Sequence, residues 1–210
     1  MYDEIWKRII IVHQYSKDLL LKGEEINLKL DGFIQPFKEQ RDALEHIIRV
    51  QAAKYNIVSD IEEDKEKYIS GNLEKVLGHE YRAFFDIADW VSINIRVNVT
   101  NFMSPYTPEC ITKAFPSYYA DIRPQIEKAN LEIAKIRCDK DIPKNDNIIP
   151  SVEKYHAIID KLIEISSNIS IYIPQLEECK RAIRRSKIVD IIIRIGLVIL
   201  GVILGVFIKC

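Results

Sequence analysis

One run of residues limits this chain more than any other: Ile191 to Ile208, eighteen positions in which Arg194 is the only charge. At ~1.5 Å rise per residue such a run makes a helix of roughly 27 Å, close to the ~30 Å hydrocarbon core of a bilayer. It predicts a transmembrane helix. Only Lys209 and Cys210 follow it, so the expectation is a tail-anchored protein whose remaining residues share one side of the membrane. Lys180, Arg181, Arg184, Arg185 and Lys187 crowd just before the run, and the positive-inside rule assigns such a cluster to the cytoplasmic face. The expected location is therefore a single-pass protein of the inner membrane with a cytoplasmic body. A secretory leader is not expected, because the apolar run Ile9 to Val12 is too short and is followed by His13 and Gln14.

Two details of the run suggest association. Gly201 and Gly205 form G-x-x-x-G, with Gly196 five residues earlier, a pattern that lets helix backbones approach closely. Arg194 either reaches back to the basic end or lines a polar constriction in an oligomer.

The 210 residues leave room for one domain with a sizeable core before the apolar run. Lys and Arg total 30 against 31 Asp and Glu, so no overall positive field marks a nucleic-acid binder. Cys110, Cys138, Cys179 and Cys210 show no C-x-x-C and no nearby paired histidines, which suggests reduced thiols and neither zinc nor a redox motif.

Apolar spacing of three and four residues predicts helices throughout. Ile5, Ile9, Val12, Tyr15 or Ser16, Leu19 and Leu20 trace the first, with Gly23 as its end. Phe37, Leu44, Ile47, Ile48, Gln51 and Tyr55 trace the second, with Pro36 in its first turn. A short charged helix follows from about Ser59 to Ile69, opened by the capping box Ser59-Asp60-Ile61-Glu62, and Gly71-Asn72 punctuates the chain. Leu73 to Val91 then reads as a long helix. Its continuation Ser92 to Val99 alternates apolar and polar residues like a strand, but without a partner strand it is read as a helix end with an extended exit. Phe102 to Tyr119, rich in proline and aromatics, is expected to be irregular with one short helix. Ile122 to Cys138 is helical. Tyr155, Ile158, Ile159, Leu162, Ile165 and Ile169 form the stripe of another helix, broken or kinked at Pro174. The expected fold is all-α: a helical bundle over 1–174, a basic stalk helix over 175–190 and a transmembrane helix over 191–208.

Two constellations could carry chemistry. Arg41-Asp42-Ala43-Leu44-Glu45-His46 places an arginine and a histidine five residues apart with a polar residue after the arginine. In this it resembles the HEPN superfamily, helical bundles that include metal-independent ribonucleases and antiviral effectors. The resemblance implies catalytic roles for Arg41, as stabiliser of charge on a phosphate, and for His46, as proton acceptor or donor. Residues five apart on a helix diverge by about 140°, so such a pair would be completed by a second protomer. The same residues also form the i,i+4 pairs Arg41–Glu45 and Asp42–His46, and Arg8 and His13 share the spacing. The second constellation is the polar stripe His79, Arg82, Asp86 and Asp89, read either as pairing with the Arg41 to His46 helix in a buried or subunit-facing network or as a solvated face with an Arg82–Asp86 pair. One histidine and two carboxylates on one helix do not complete a metal shell, and no cofactor is expected.

A HEPN-like bundle joined to a membrane span is similar to the membrane accessory proteins of RNA-targeting CRISPR systems and related phage-defence effectors. The leading expectation is therefore an effector that forms homo-oligomers, perturbs the bilayer when triggered, and answers to a CRISPR or other defence protein. The alternatives are a membrane-bound ribonuclease, for which RNA is the partner, and a tether without catalysis.

Overall fold

The computed structural model describes residues 2–27, 33–57, 64–139 and 148–209, with side chains up to position 201 of the last helix. Every element among them is helical: α1 (Asp3–Ile26), α2 (Ile34–Lys54), α3 (Lys65–Met103), α4 (Pro108–Ala114), a π-helical turn (Tyr118–Ile122), α5 (Arg123–Asp139), α6 (Ile148–Ile171) and α7 (Ile173–Lys209). The chain divides into two compact units, one of Met1–Asn98 with Ile126–Ser166 and one of Val99–Gln125 with Ser167–Cys210.

In the first unit the apolar spacing of α1 and α6 works as read. Ile9, Val12, Ser16, Leu19 and Gly23 line the buried side of α1. Val152, Tyr155, Ile158, Ile159, Leu162 and Ile165 are buried along α6. Phe84 and Phe85 of α3 meet the Tyr155 ring edge to face at 6.2 and 5.6 Å, which anchors the core in aromatic contacts.

Gly23 does not end α1; it lies inside the helix where α3 comes close. A Cβ built there would stand 2.5 Å from the six-membered ring of Trp90 and 3.0 Å from Val91. Phe33 holds that ring from another side, with centroids 4.6 Å apart. Gly23→Ala gains helix propensity of about 1 kcal/mol but forces a pinned indole to move, at a cost of about 1–3 kcal/mol. The expected result is a net loss of stability in chemical denaturation; a stabilised variant would show that Trp90 yields freely.

Three further readings are corrected. Ser92 to Val99 is neither strand nor extended exit, because α3 runs unbroken through it. Val91, Ile95, Val99 and Met103 are buried at four-residue spacing, whereas Ile93 and Val97 are exposed; these outward apolar residues create the false alternation. Gly71 and Asn72 lie within α3, and Ser59 to Glu62 fall outside the described residues. On α2 most of the predicted stripe is turned outward: Phe37, Leu44, Ile48 and Tyr55 are exposed, Ile47 and Gln51 are half-buried, and the helix fully buries Pro36, Ala43, Val50 and Ala53 instead. Small side chains let α2 seat closely, and the large ones stay outside.

In the second unit α4 packs on α7. Thr107 caps α4 by accepting a hydrogen bond from the Cys110 N–H, and Phe115 stacks on Tyr172 with ring centroids 3.9 Å apart. At Pro174 the chain has already passed from α6 to α7 through Tyr172.

The transmembrane helix, the tail anchor and the inner-membrane location do not hold. Among the described residues no helix is long and apolar enough to cross a membrane. Arg181, Arg184, Arg185, Lys187 and Arg194 are exposed. A Cβ at Gly196 or Gly201 would meet nothing of the same chain within 4 Å. The Gly205 position lies outside the described side chains.

Candidate functional site

Glu39, Asp42 and His46 recur at three and four residues on α2, so they share one face. Asn72, His79 and Arg82 do the same on α3 at seven and three. Because Ala43 and Val50 seat α2 tightly, short polar side chains bridge the two helices. His46 Nδ1 lies 2.8 Å from Asn72 Oδ1. Asn72 is buried, and its Nδ2 donates to the Tyr68 carbonyl at 2.8 Å, which fixes the amide so that the oxygen faces the ring. His46 must then donate through Nδ1–H, and Nε2 is the basic nitrogen.

A second imidazole lies alongside. The His46 and His79 rings are stacked with centroids 5.4 Å apart and planes 22° from parallel. His79 Nδ1 is 2.8 Å from Glu39 Oε2, and Arg82 Nε donates to the same oxygen at 2.8 Å. Arg82 Nη2 also approaches His79 Nδ1 at 2.7 Å. The two contacts of Nδ1 require opposite protonation, and the carboxylate, already facing a guanidinium, favours Nδ1–H donating to Glu39.

Burial works to raise the Glu39 carboxyl, but hydrogen bonds from His79 and Arg82 and their charges outweigh it and hold it below the ordinary glutamate range. A carboxyl depressed by folding contributes stability above its unfolded value and loses it as pH falls through the folded one. The thermal midpoint of Glu39→Gln is therefore expected below that of the native chain at neutral pH. The gap should close as pH falls below the ordinary glutamate range, and a gap independent of pH would contradict the pairing.

Arg41 stands at the rim with its side chain 72% exposed, and its Nη2 donates to Asp42 at 2.7 Å, not to Glu45. Glu45 pairs with Arg49 instead. The hydrogen bond and charge from Arg41, with smaller effects of the His79 and His46 rings, keep the Asp42 carboxyl below its ordinary value.

The predicted stripe His79, Arg82, Asp86 and Asp89 divides. Its first half joins Glu39 on α2. Asp89 turns into the core, where one oxygen accepts from Arg137 Nε at 2.6 Å and from the Tyr155 hydroxyl at 2.5 Å. Burial and that hydrogen bond push the phenol far above its ordinary value, so Tyr155 is a structural donor. Arg82 pairs with Glu39. The other R-x4-H match is also structural: His13 Nδ1 lies 3.1 Å from a carboxylate oxygen of Glu80, a buried residue, and the hydrogen bond to Glu80 raises the His13 ring above its ordinary value.

No family model, curated protein or solved structure matches this chain. The functional argument therefore rests on the geometry of this face. Sequence reading missed Glu39 and Asn72; the three- and four-residue spacing of Glu39, Asp42 and His46 was the available signal for the first, and nothing local marked the second.

Proposed function

We propose that the α2–α3 face is a metal-independent ribonuclease site. The observation that carries the reading is the contact of Asn72 Oδ1 with His46 Nδ1: an acceptor there assigns the ring proton to Nδ1 and leaves Nε2 to accept one. In this reaction Nε2 takes the 2′-hydroxyl proton, the 2′-oxygen attacks phosphorus, and the bond to the 5′-oxygen breaks. A 2′,3′-cyclic phosphate and a 5′-hydroxyl result. His79 acts from its doubly protonated form: with Nδ1–H held by Glu39 it gives its Nε2 proton to the leaving oxygen and ends neutral, and the Arg41 and Arg82 guanidiniums offset charge on the phosphate. Two imidazoles 5.4 Å apart suit one phosphodiester.

The bare stripe Phe37, Leu44, Ile48 and Tyr55 on the same helix supports pairing of two copies through α2, which would set two such faces side by side. The membrane-effector reading loses its basis with the spanning helix.

The test is cleavage of single-stranded RNA by the full chain in excess chelator. The expected products carry cyclic phosphate ends, and a substrate with 2′-deoxy sugars resists cleavage. Cleavage of both substrates alike, or of neither, would reject the reading.

A further inference from the structure

Away from that face, α1 and α6 bring together a different set of donors. Asp18 and Lys22 are one turn apart on α1, and His156 and Asp160 are one turn apart on α6. The Lys22 ammonium bridges Asp18 Oδ2 and Asp160 Oδ1 at 2.5 Å each. His156, with only 13% of its side chain exposed, places Nε2 2.6 Å from Asp18 Oδ2 and Nδ1 3.2 Å from Asp160 Oδ2. The two helices supply the second chain segment that a single polar stripe lacks.

We propose that Asp18, His156 and Asp160 form a divalent transition-metal site, best suited to zinc, for which Lys22 is the built-in competing cation.

The argument starts from hydrogen-bond arithmetic. Ionised carboxylates only accept, and a neutral imidazole offers one donor and one lone pair. Here both ring nitrogens face carboxylate oxygens, so a neutral ring sets one lone pair against an anion. The conflict is removed by one more positive charge at that nitrogen, either a second ring proton or a metal ion. The Asp160 side is close to ion geometry: two ligand atoms ~2.1 Å from a tetrahedral centre lie roughly 3.4 Å apart, and the Nδ1 to Asp160 Oδ2 separation is 3.2 Å, whereas Asp18, now 2.6 Å from Nε2, must turn to reach the same ion.

One ligand atom from each of the three residues lies within 4.8 Å of the others, so side-chain rotation closes the shell without moving a helix. An imidazole with carboxylates is a donor set that suits zinc among the divalent ions. A cavity of about 470 Å³, lined by Ile11, Gln14, Tyr15 and Glu153 beside Asp18 and His156, gives access from solvent. Glu153, one turn before His156, or water fills the fourth position. Lys22 can withdraw because its side chain is 32% exposed on a flexible stem.

The experiment is calorimetric titration of zinc chloride into the untagged, chelator-stripped full chain, alongside its thermal unfolding. Expected are one ion per chain and a higher unfolding midpoint, because an ion held between α1 and α6 binds only the folded state. Lys22→Met is expected to tighten binding at least about tenfold by removing the competitor, and Asp160→Asn and His156→Gln to weaken it at least about tenfold. Absence of saturable uptake by the native chain would overturn the site, and would mean that a second ring proton resolves the network. Unchanged affinity in Asp160→Asn and His156→Gln would also overturn it, by placing the zinc elsewhere, with the exposed Cys138 thiol the first alternative. Affinity in Lys22→Met equal to native would overturn the competition.

Discussion

Cleavage of RNA by His46→Ala is expected to fall by roughly 10²–10⁴-fold, the usual worth of a positioned proton acceptor, with the fold intact. His46 sits at the helix surface, so its removal opens no large cavity. The companion variant is Asn72→Ala. It leaves the imidazole in place but releases Nδ1–H, so the basic nitrogen is no longer fixed at Nε2. One hydrogen bond of about 1–1.5 kcal/mol corresponds to about tenfold in rate. Asn72→Asp keeps an acceptor at Nδ1 and should recover part of that loss. Single-turnover assays under chelator, with circular dichroism on each variant, measure both effects. His46→Ala cleaving at the native rate would remove His46 from the reaction, and equal losses for Asn72→Ala and Asn72→Asp would remove the proton-fixing role.

Asp89→Ala is expected to be the most destabilising single polar change. Its carboxylate accepts from Arg137 and from Tyr155, whose ring is fully buried. Alanine removes the acceptor from a phenol hydroxyl on a fully buried ring and from a guanidinium two-thirds buried, leaving them the weaker contacts with each other and with Ser92. Breaking such a pairing costs about 3 kcal/mol or more. For a chain of this length that is roughly 6–12 °C in the thermal midpoint. Tyr155→Phe removes only the hydroxyl and leaves the Asp89–Arg137 pair intact, so its loss should stay near about 1 kcal/mol. Denaturant titrations of the two variants separate the effects. A smaller loss for Asp89→Ala than for Tyr155→Phe would show that the carboxylate is not the hub of this network.

Much of the fold is readable because each buried stripe needs only its own helix to be recognised. Tyr155 to Ile169 on α6 and Ile9 to Leu19 on α1 are of this kind. The failures arise where exposure is decided by a partner. Ile93 and Val97 are apolar yet face outward on α3, which turns a helical pattern into an apparent alternation. On α2 the hydrophobic count points to Phe37, Leu44 and Ile48, but Ala43, Val50 and Ala53 are the residues buried.

The site divides along the same line. The spacing of Arg41 and His46 draws attention to α2, and the stripe His79 and Arg82 draws attention to α3. That the two helices could pair is legible from their polar stripes; that Glu39 and Asn72 make the junctions follows from docking and could not be read from either segment alone. The apolar run from Ile191 shows the opposite error. A composition argument about one segment was extended to a location for the whole chain, and no described helix supports it.

The seating of α2 on Ala43 and Val50 has a consequence for proton placement. Asparagine is short, and Asn72 reaches His46 at 2.8 Å only while the two helix axes stay close. A bulkier residue at position 43 would widen the gap and free the imidazole to exchange tautomers. Backbone separation thereby becomes a determinant of acid–base chemistry, set by a methyl group that never meets a substrate.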